Sequence, residues 1–280
     1  MIRPRQQDLF AVIGNPIAHS LSPVMMNAAF RELGHPALYM ALESDALEED
    51  LDTLWKMGFR GVSVTLPHKE SAFVLCSSKD ETAGAIGAVN TLRREAYGWA
   101  GKNTDWLGSN RALESILPLE GKRALVLGAG GAARAVVYGL IRSGAEVHVS
   151  NRTPERGEAL AKAFGCEFLP FHRLQGGEQL PFFHVVVQCT SVGLTGGTPG
   201  HLVPQAFFQR GMVVMDTVYR PLWTDFLRAA RDVGSVTISG IEMLVHQGIA
   251  QLEWWLETGP LPSNVVQAMH NALVKALCHE

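Results

Sequence analysis

The chain has 280 residues, 47% hydrophobic and 18% charged, which suffices for a sizeable buried core or two ordinary domains and excludes a disordered protein. Its formal net charge of −3 gives no electrostatic reason to expect nucleic acid or an anionic membrane as the main partner. Cys76, Cys166, Cys189 and Cys278 are scattered without a Cys-x-x-Cys pair, which argues against a disulfide framework or a metal site and for reduced thiols in a cytoplasmic protein.

In chain order, the N-terminal MIRPRQQDLF carries arginines but no apolar stretch of signal-peptide length behind them. Short apolar runs then alternate with segments of helical period: a strand at Phe10–Gly14, a helix after Ser22, a strand at Ala37–Glu43, a helix at Leu47–Met57 and a strand at Gly61–Leu66. That alternation predicts a mostly parallel sheet with helices packed on it. Ala88–Leu92 and Tyr97–Trp99 flank a charged turn and predict a small antiparallel pair. A helix is expected over Trp106–Leu117, with Thr104 or Asp105 as its N-cap.

A second unit begins near Gly121. The strand Arg123–Leu127 runs into Gly128-Ala129-Gly130-Gly131-Ala132-Ala133, a helix extends to Arg142, and a strand follows at Glu146–Ser150. Further strands are expected at Val185–Cys189, Val213–Asp216 and Ser235–Ile238. From Leu180 to Gln209 no Asp, Glu, Lys or Arg occurs, yet Gly, Pro, Thr, His and Gln interrupt the run, so it reads as a buried strand and a loop. The helical tail from Ile241 is too long to cap this unit alone. The expected division is therefore α/β throughout: residues 1–105 with the tail 241–280 as a substrate-binding and catalytic domain, residues 106–240 as a Rossmann-type dinucleotide-binding domain, and a ligand cleft between them.

The cofactor signal is Gly128–Ala133, which satisfies G-x-G-x-x-G/A between a strand and a helix. The first glycine allows the tight turn, the second lets backbone approach a pyrophosphate, and Ala133 lets helix and strand pack closely. Gly131 and Ala132 open the helix whose N-terminal N–H groups favour an anion. At the end of the second strand an NAD-binding fold places a carboxylate for the ribose 2′-hydroxyl. Here Asn151, Arg152, Thr153 and Arg156 stand instead, and arginine pairs with a phosphate through charge-assisted hydrogen bonds, so the expected cofactor is NADP.

Several other residues have ordinary readings when taken singly. Lys69 after Pro67-His68 is a surface lysine starting a helix, Asn90 a turn residue, and Ser22 before Pro23 an N-cap with proline in the first helical position. Taken in order, however, Gly14-Asn15-Pro16 with Ser20-Leu21-Ser22-Pro23, Val64–Lys69, Gly87–Thr91 and Asn103-Thr104-Asp105 resemble the shikimate dehydrogenase family. So do Gly128–Ala133, Asn151-Arg152-Thr153, Thr190-Ser191, Asp216–Pro221, and Gly240 with Met243-Leu244 and Gln247, so the resemblance runs nearly end to end. Trp106 departs from it, standing where the family often has glycine.

The resemblance implies NADPH-dependent, reversible reduction of 3-dehydroshikimate to shikimate, a step of aromatic amino-acid synthesis, by a cytoplasmic monomer or homodimer with small-molecule partners only and no metal. Residues two apart in an extended segment point the same way, so Ser20 and Ser22 are expected to direct both hydroxyls at one group, by resemblance the substrate carboxylate. The resemblance assigns ring hydroxyls to Thr65, Asn90, Asp105 and Gln247, a pocket-closing role to Tyr219, and further cofactor contacts to Thr190, Ser191, Val218, Gly240 and Met243. Lys69 and Asp105 form the catalytic pair: hydride delivered to a ketone leaves an alkoxide that needs a proton and nearby positive charge, and a carboxylate beside the ammonium keeps it charged. Shikimate oxidation, which uses the lysine as base, should then accelerate through the alkaline range. Two rival readings are a quinate/shikimate dehydrogenase using NAD or both cofactors, and a non-catalytic NADP-binding regulator that kept the fold.

Overall fold

A computed structural model describes residues 7–176, 179–196, 200 and 202–278. The N-terminal arginine-bearing segment 1–6, the part of the uncharged stretch at 197–199 and 201, and the last two residues lie outside the described residues. The chain forms two compact units, one running through Thr104 and resuming at Gln247, the other spanning Asp105–His246.

In the first unit, β1 (Asp8–Gly14), α1 (Ser22–Glu32), β2 (Ala37–Glu43), α2 (Leu47–Lys56) and β3 (Gly61–Val64) alternate as the apolar runs predict. β1 pairs in parallel with β2, Asp8 opposite Ala37, and with β3, Phe10 opposite Gly61. Phe10, Ala11, Val12 and Ile13 are at most 2% exposed, the unbroken apolar run of a strand covered on both faces. α2 buries Leu47, Leu51 and Leu54 on one stripe, with Glu48, Glu49 and Asp50 in its first turn and Lys56 in its last, which suits the helix dipole.

α3 (Lys69–Leu75), β4 (Ser78–Lys79), α4 (Glu81–Ile86), β5 (Thr91–Glu95) and β6 (Gly98–Lys102) complete a sheet of order β2-β1-β3-β5-β6-β4. The antiparallel pair exists, but β5 starts at Thr91 rather than Ala88, and Arg93, Arg94 and Glu95 belong to the strand rather than the turn. The arginines leave the sheet sideways, Arg94 over the Trp55 ring at 4.3 Å and Arg93 over Trp254 at 4.8 Å, so their charge does not end the ladder.

The second unit runs α5 (Asp105–Glu114), β7 (Arg123–Leu127), α6 (Gly131–Arg142), β8 (Glu146–Ser150), α7 (Pro154–Phe164), β9 (Glu167–Phe168), β10 (Val185–Gln188), β11 (Val213–Asp216), α8 (Asp225–Asp232) and β12 (Val236–Ile238). Short 3₁₀ turns lie at Phe171–Gln175 and Gln205–Phe207. Every neighbouring pair is parallel, in the order β9-β8-β7-β10-β11-β12. That is the doubly wound Rossmann order, whose switch point falls between β7 and β10. Alternate residues of β7 feed opposite faces: Ala124 and Val126 join Val136 and Val185, while Leu125 and Leu127 join Val186 and Leu227.

The tail is two helices, α9 (Gly240–Trp255) and α10 (Ser263–Cys278), and α10 packs along α1. Among the described residues no helix is long and apolar enough to cross a membrane.

Candidate active site

Backbone hydrogen bonds stitch together the turns at the carboxyl ends of β1, β2 and β3. Thr65 N–H donates to Ile13 O at 2.9 Å, Asn15 N–H to Leu66 O at 3.0 Å, and Ser44 N–H to Gly14 O at 3.1 Å. His68 Nε2 lies 2.8 Å from Ser44 O. Ligands of open α/β sheets gather at this end of the strands. The turn after β3 places half-buried Thr65 and Lys69 there, with Lys69 as the first residue of α3. The Lys69 carbonyl accepts from Val89 N–H at 2.9 Å, tying the lysine's backbone to the segment that carries Asn90.

Asn90 is no turn residue at the surface; it is 2% exposed at the centre of a buried polar cluster. Its Oδ1 accepts from Thr104 N–H and from the Thr91 hydroxyl, both at 2.7 Å, and its Nδ2 donates to Thr104 Oγ1 at 3.0 Å and to Gln247 Oε1 at 3.3 Å. The fold thus joins two predicted site residues 157 positions apart. Thr104 binds Asn90 through its side chain and stands immediately before Asp105, which is 5% exposed and the first helical residue of α5.

The serine segment departs from expectation. The N-cap of α1 is Leu21, not Ser22, and no side chain caps it; Ser22 is the first helical residue with Pro23 beside it. Leu21 sits at φ −90° and ψ −1°, a helical conformation, so the same-side argument from an extended segment fails. The cause is local: Leu21 is 5% exposed and turns inward as the helix starts, and Ser20 Oγ accepts from Ser22 N–H at 3.3 Å. Ser20 thus closes a local turn onto the first helical residue, and neither serine caps the helix with its side chain.

In the second unit, β7 ends in Gly128 at φ +120°, a conformation side chains rarely adopt, and a Cβ there would lie 3.1 Å from the Cys189 carbonyl group. Gly130 is the N-cap of α6, without a side-chain bond, and the first turn of that helix holds no acidic residue. A Cβ on Gly130 would meet nothing within 4 Å. The head of α6, bordered by half-buried Ala129, Gly131 and Ala132, thus leaves room for the pyrophosphate of a dinucleotide. After β8, Asn151 Nδ2 donates to Thr153 O at 2.8 Å and shapes the loop that carries Arg152, while Arg156 stands in the first turn of α7; both arginines are exposed. Thr190 Oγ1 accepts from Val192 N–H at 3.2 Å, and Ser191 is exposed.

The loop after β11 is organised by Asp216, whose carboxylate accepts from Val218 N–H at 2.9 Å and from the Thr224 hydroxyl at 2.6 Å. Burial pushes its pKa up to about 7 against the lowering effect of those two bonds. Tyr219 follows, half-buried. Gly240 starts α9 where a Cβ would come within 2.7 Å of the Thr217 and Val218 carbonyl oxygens, and Met243, one turn on, is buried in the sheet core. A separate open groove of about 500 Å³, walled by Leu51, Trp55, Tyr97 and Trp99, holds none of these residues.

Residues 12–92 match the family model for the shikimate dehydrogenase substrate binding domain, and residues 111–196 that for shikimate / quinate 5-dehydrogenase. Over 280 residues the chain is 57% identical to shikimate dehydrogenase (NADP(+)) of Syntrophobacter fumaroxidans, covering 98% of each. The chain belongs to the shikimate dehydrogenase family. Another family member, from Thermococcus kodakarensis, is 44% identical over 250 residues, covering 88% of this chain and 90% of the relative. Shikimate 5-dehydrogenase of Thermus thermophilus, solved with NADP(H) and shikimate, superposes with a TM-score of 0.84 at 39% identity, covering 95% of this chain and all of that one (100%). A ligand-free 5-ketofructose reductase of Gluconobacter sp. superposes equally well, TM-score 0.84, at 27% identity over 98% of this chain and 100% of its own.

The matched family spans contain Ser20, Ser22, Thr65, Lys69, Asn90 and the glycine turn, whereas Asp105, Tyr219, Gly240 and Gln247 lie outside both. Sequence reasoning missed Thr91, Ser63 and Gln251, which complete the cluster around Asn90. A signal for Gln251 existed: it lies one helical turn after Gln247 in the otherwise apolar stretch Ile249–Leu252, and two amides at that spacing share one face.

Proposed function

We propose that the chain catalyses the reversible, NADPH-dependent reduction of 3-dehydroshikimate to shikimate in aromatic amino-acid biosynthesis. The observation that carries this reading is the buried cluster of Asn90, Thr104 and Gln247 beside the lysine-bearing turn, a set of neutral amides and hydroxyls suited to a small polyhydroxylated ring. In this reading the substrate domain comprises 1–105 and 241–280 and the cofactor domain 106–240. The enzyme is cytoplasmic, as a monomer or homodimer.

The cofactor, when bound, supplies the hydride. Lys69 gives its proton to the alkoxide oxygen left on the reduced carbon, and Asp105 orients the ammonium. Ser20 and Ser22 hold the carboxylate, Thr65, Asn90, Asp105 and Gln247 the ring hydroxyls, and Tyr219 contacts the substrate. Gly128, Ala129, Gly130, Gly131 and Ala132 cradle the pyrophosphate; Asn151, Arg152, Thr153 and Arg156 take the 2′-phosphate; Thr190, Ser191, Val218, Gly240 and Met243 contact the rest of the cofactor.

The test is a matrix of oxidation assays, shikimate and quinate each with NADP⁺ and NAD⁺, with 5-ketofructose and NADPH as a control ketone. Shikimate with NADP⁺ should give the highest kcat/KM. Absence of turnover with every pair, or preference for another pair, overturns the reading.

A further inference from the structure

A branched network of hydrogen bonds, in which Thr104 Oγ1 also lies 3.2 Å from both Thr91 Oγ1 and Asn90 Oδ1, runs through the core of the first unit into Asn90, and its direction is fixed at two points by backbone groups. Thr104 N–H, which can only donate, meets one terminal atom of the Asn90 carboxamide at 2.7 Å, so that atom is the oxygen. The Asn90 carbonyl, which can only accept, meets one terminal atom of the Gln251 carboxamide at 3.3 Å, so that atom is the nitrogen. The rest follows from counting protons. Gln251 Oε1 must receive the Ser63 hydroxyl proton (2.8 Å), and Ser63 Oγ must then accept from the Tyr39 hydroxyl (2.6 Å). Gln251 Nε2 also donates to Thr91 Oγ1 (3.0 Å), and Thr91 passes its own proton to Asn90 Oδ1 (2.7 Å). Ser63, Asn90, Thr91 and Gln251 are at most 6% exposed, and Tyr39 is 1% exposed, so water does not scramble this polarity.

Resting on the functional reading above, we propose that Gln251 is a positioning residue: together with Thr104 N–H, and acting through Thr91 and the Asn90 carbonyl, it holds the Asn90 carboxamide with its oxygen inward. The two amide N–H bonds of Asn90 are thereby aimed at Thr104 Oγ1 (3.0 Å) and Gln247 Oε1 (3.3 Å), so a ring hydroxyl that takes the place of Gln247 on the longer bond is bound as an acceptor, and a group that can only donate is disfavoured there. The outward-facing chemistry is set from the far side of the core.

Gln251→Glu tests this with nearly unchanged shape. Burial among neutral groups raises the pKa of the new carboxyl, so the assay is run at alkaline pH, where the ionised form accepts from Ser63 but cannot donate to Thr91, whose hydroxyl then turns toward it and leaves Asn90. The expected result is a rise in shikimate KM of about tenfold, the scale of one lost hydrogen bond, with the KM for NADP⁺ within about twofold of wild type. The decisive readout is a double-mutant cycle: in an Asn90→Ala background the Gln251→Glu effect on KM should vanish. Thr91→Val breaks the relay at its next link and should reproduce the KM rise, which keeps the test alive if Gln251→Glu does not fold. An effect confined to melting temperature, or equal effects in both backgrounds, overturns the relay. Wild-type protein that turns over no shikimate overturns the functional reading itself, and the two failures are therefore distinct.

Discussion

Two strand-to-helix turns, one after β3 and one after β7, solve opposite problems at the same place in their sheets. The turn Thr65-Leu66-Pro67-His68 uses up its backbone: Thr65 and His68 donate within the fold and the Leu66 carbonyl accepts from Asn15. In the proposed reaction what it offers to a ligand is side chains, above all Lys69. The turn Gly128-Ala129-Gly130 is bare of side chains beyond a methyl, and what it offers is backbone N–H at the head of α6. Moving a proton needs a titratable atom at the end of an adjustable arm, whereas holding a phosphate needs several fixed donors and no steric bulk. The two turns should therefore fail in opposite ways, the first when a side chain is removed and the second when one is added.

The largest effect is expected at the first turn. Lys69→Ala should lower kcat by roughly 10²- to 10⁴-fold, the usual contribution of a positioned acid or base, while shikimate KM changes by only a few fold. Steady-state kinetics in both directions check this, and near-normal kcat would assign proton transfer elsewhere. Next comes the arginine that follows β8. Arg152→Ala should raise the KM for NADP⁺ by roughly ten- to a hundred-fold, the worth of a charge-assisted bond, and leave the weaker NAD⁺ reaction unchanged. If both cofactors lose equally, Arg152 is not reading the 2′-phosphate.

The second turn gives the sharper contrast. Gly130 sits at φ −93° and ψ −173°, allowed for any residue, and a Cβ there meets no protein atom within 4 Å. Gly130→Ala should accordingly leave the melting temperature within about 2 °C while raising the NADP⁺ KM on the order of tenfold, because the methyl occupies the space of the anion. At Gly128 both the positive φ and the Cys189 backbone oppose a methyl, so Gly128→Ala should lose roughly 1–3 kcal/mol of stability as well, seen in denaturant melts. Equal stability losses at the two glycines would remove the distinction between space kept for a ligand and space kept for the chain.

How far these features could be read in advance tracks how local they are. Strands β7, β8, β10, β11 and β12 of the second sheet were legible because each is built on a short apolar run bounded by turn residues. β4 and β9, two residues each, show no periodicity to read. The Asn90 cluster was half legible: Asn90 and Gln247 stand out by resemblance, but Tyr39, Ser63 and Gln251 acquire meaning only once three segments meet. The conformation at Leu21 was hidden because Ser-Pro marks a helix start without saying whether the serine stands before it or in its first turn.

A third turn, after β11, marks the limit of the comparison: there a side chain serves the backbone instead of a ligand. Asp216 is fully buried, and its carboxylate holds Val218 N–H and, through Thr224, the start of α8. Because burial lifts its pKa from 3.8 to about 7, the folded chain keeps a proton that the unfolded chain gives up above about pH 4. Within that window the unfolded state binds fewer protons, so stability falls as pH rises, and the contribution is complete below about pH 4 and lost above about pH 7. Denaturant melts at pH 5 and pH 8 should show wild-type protein less stable at pH 8 by this contribution, and Asp216→Asn, which cannot ionise, should shrink the difference. An unchanged pH difference in the variant would assign the proton uptake to another buried group and leave Asp216 ionised throughout.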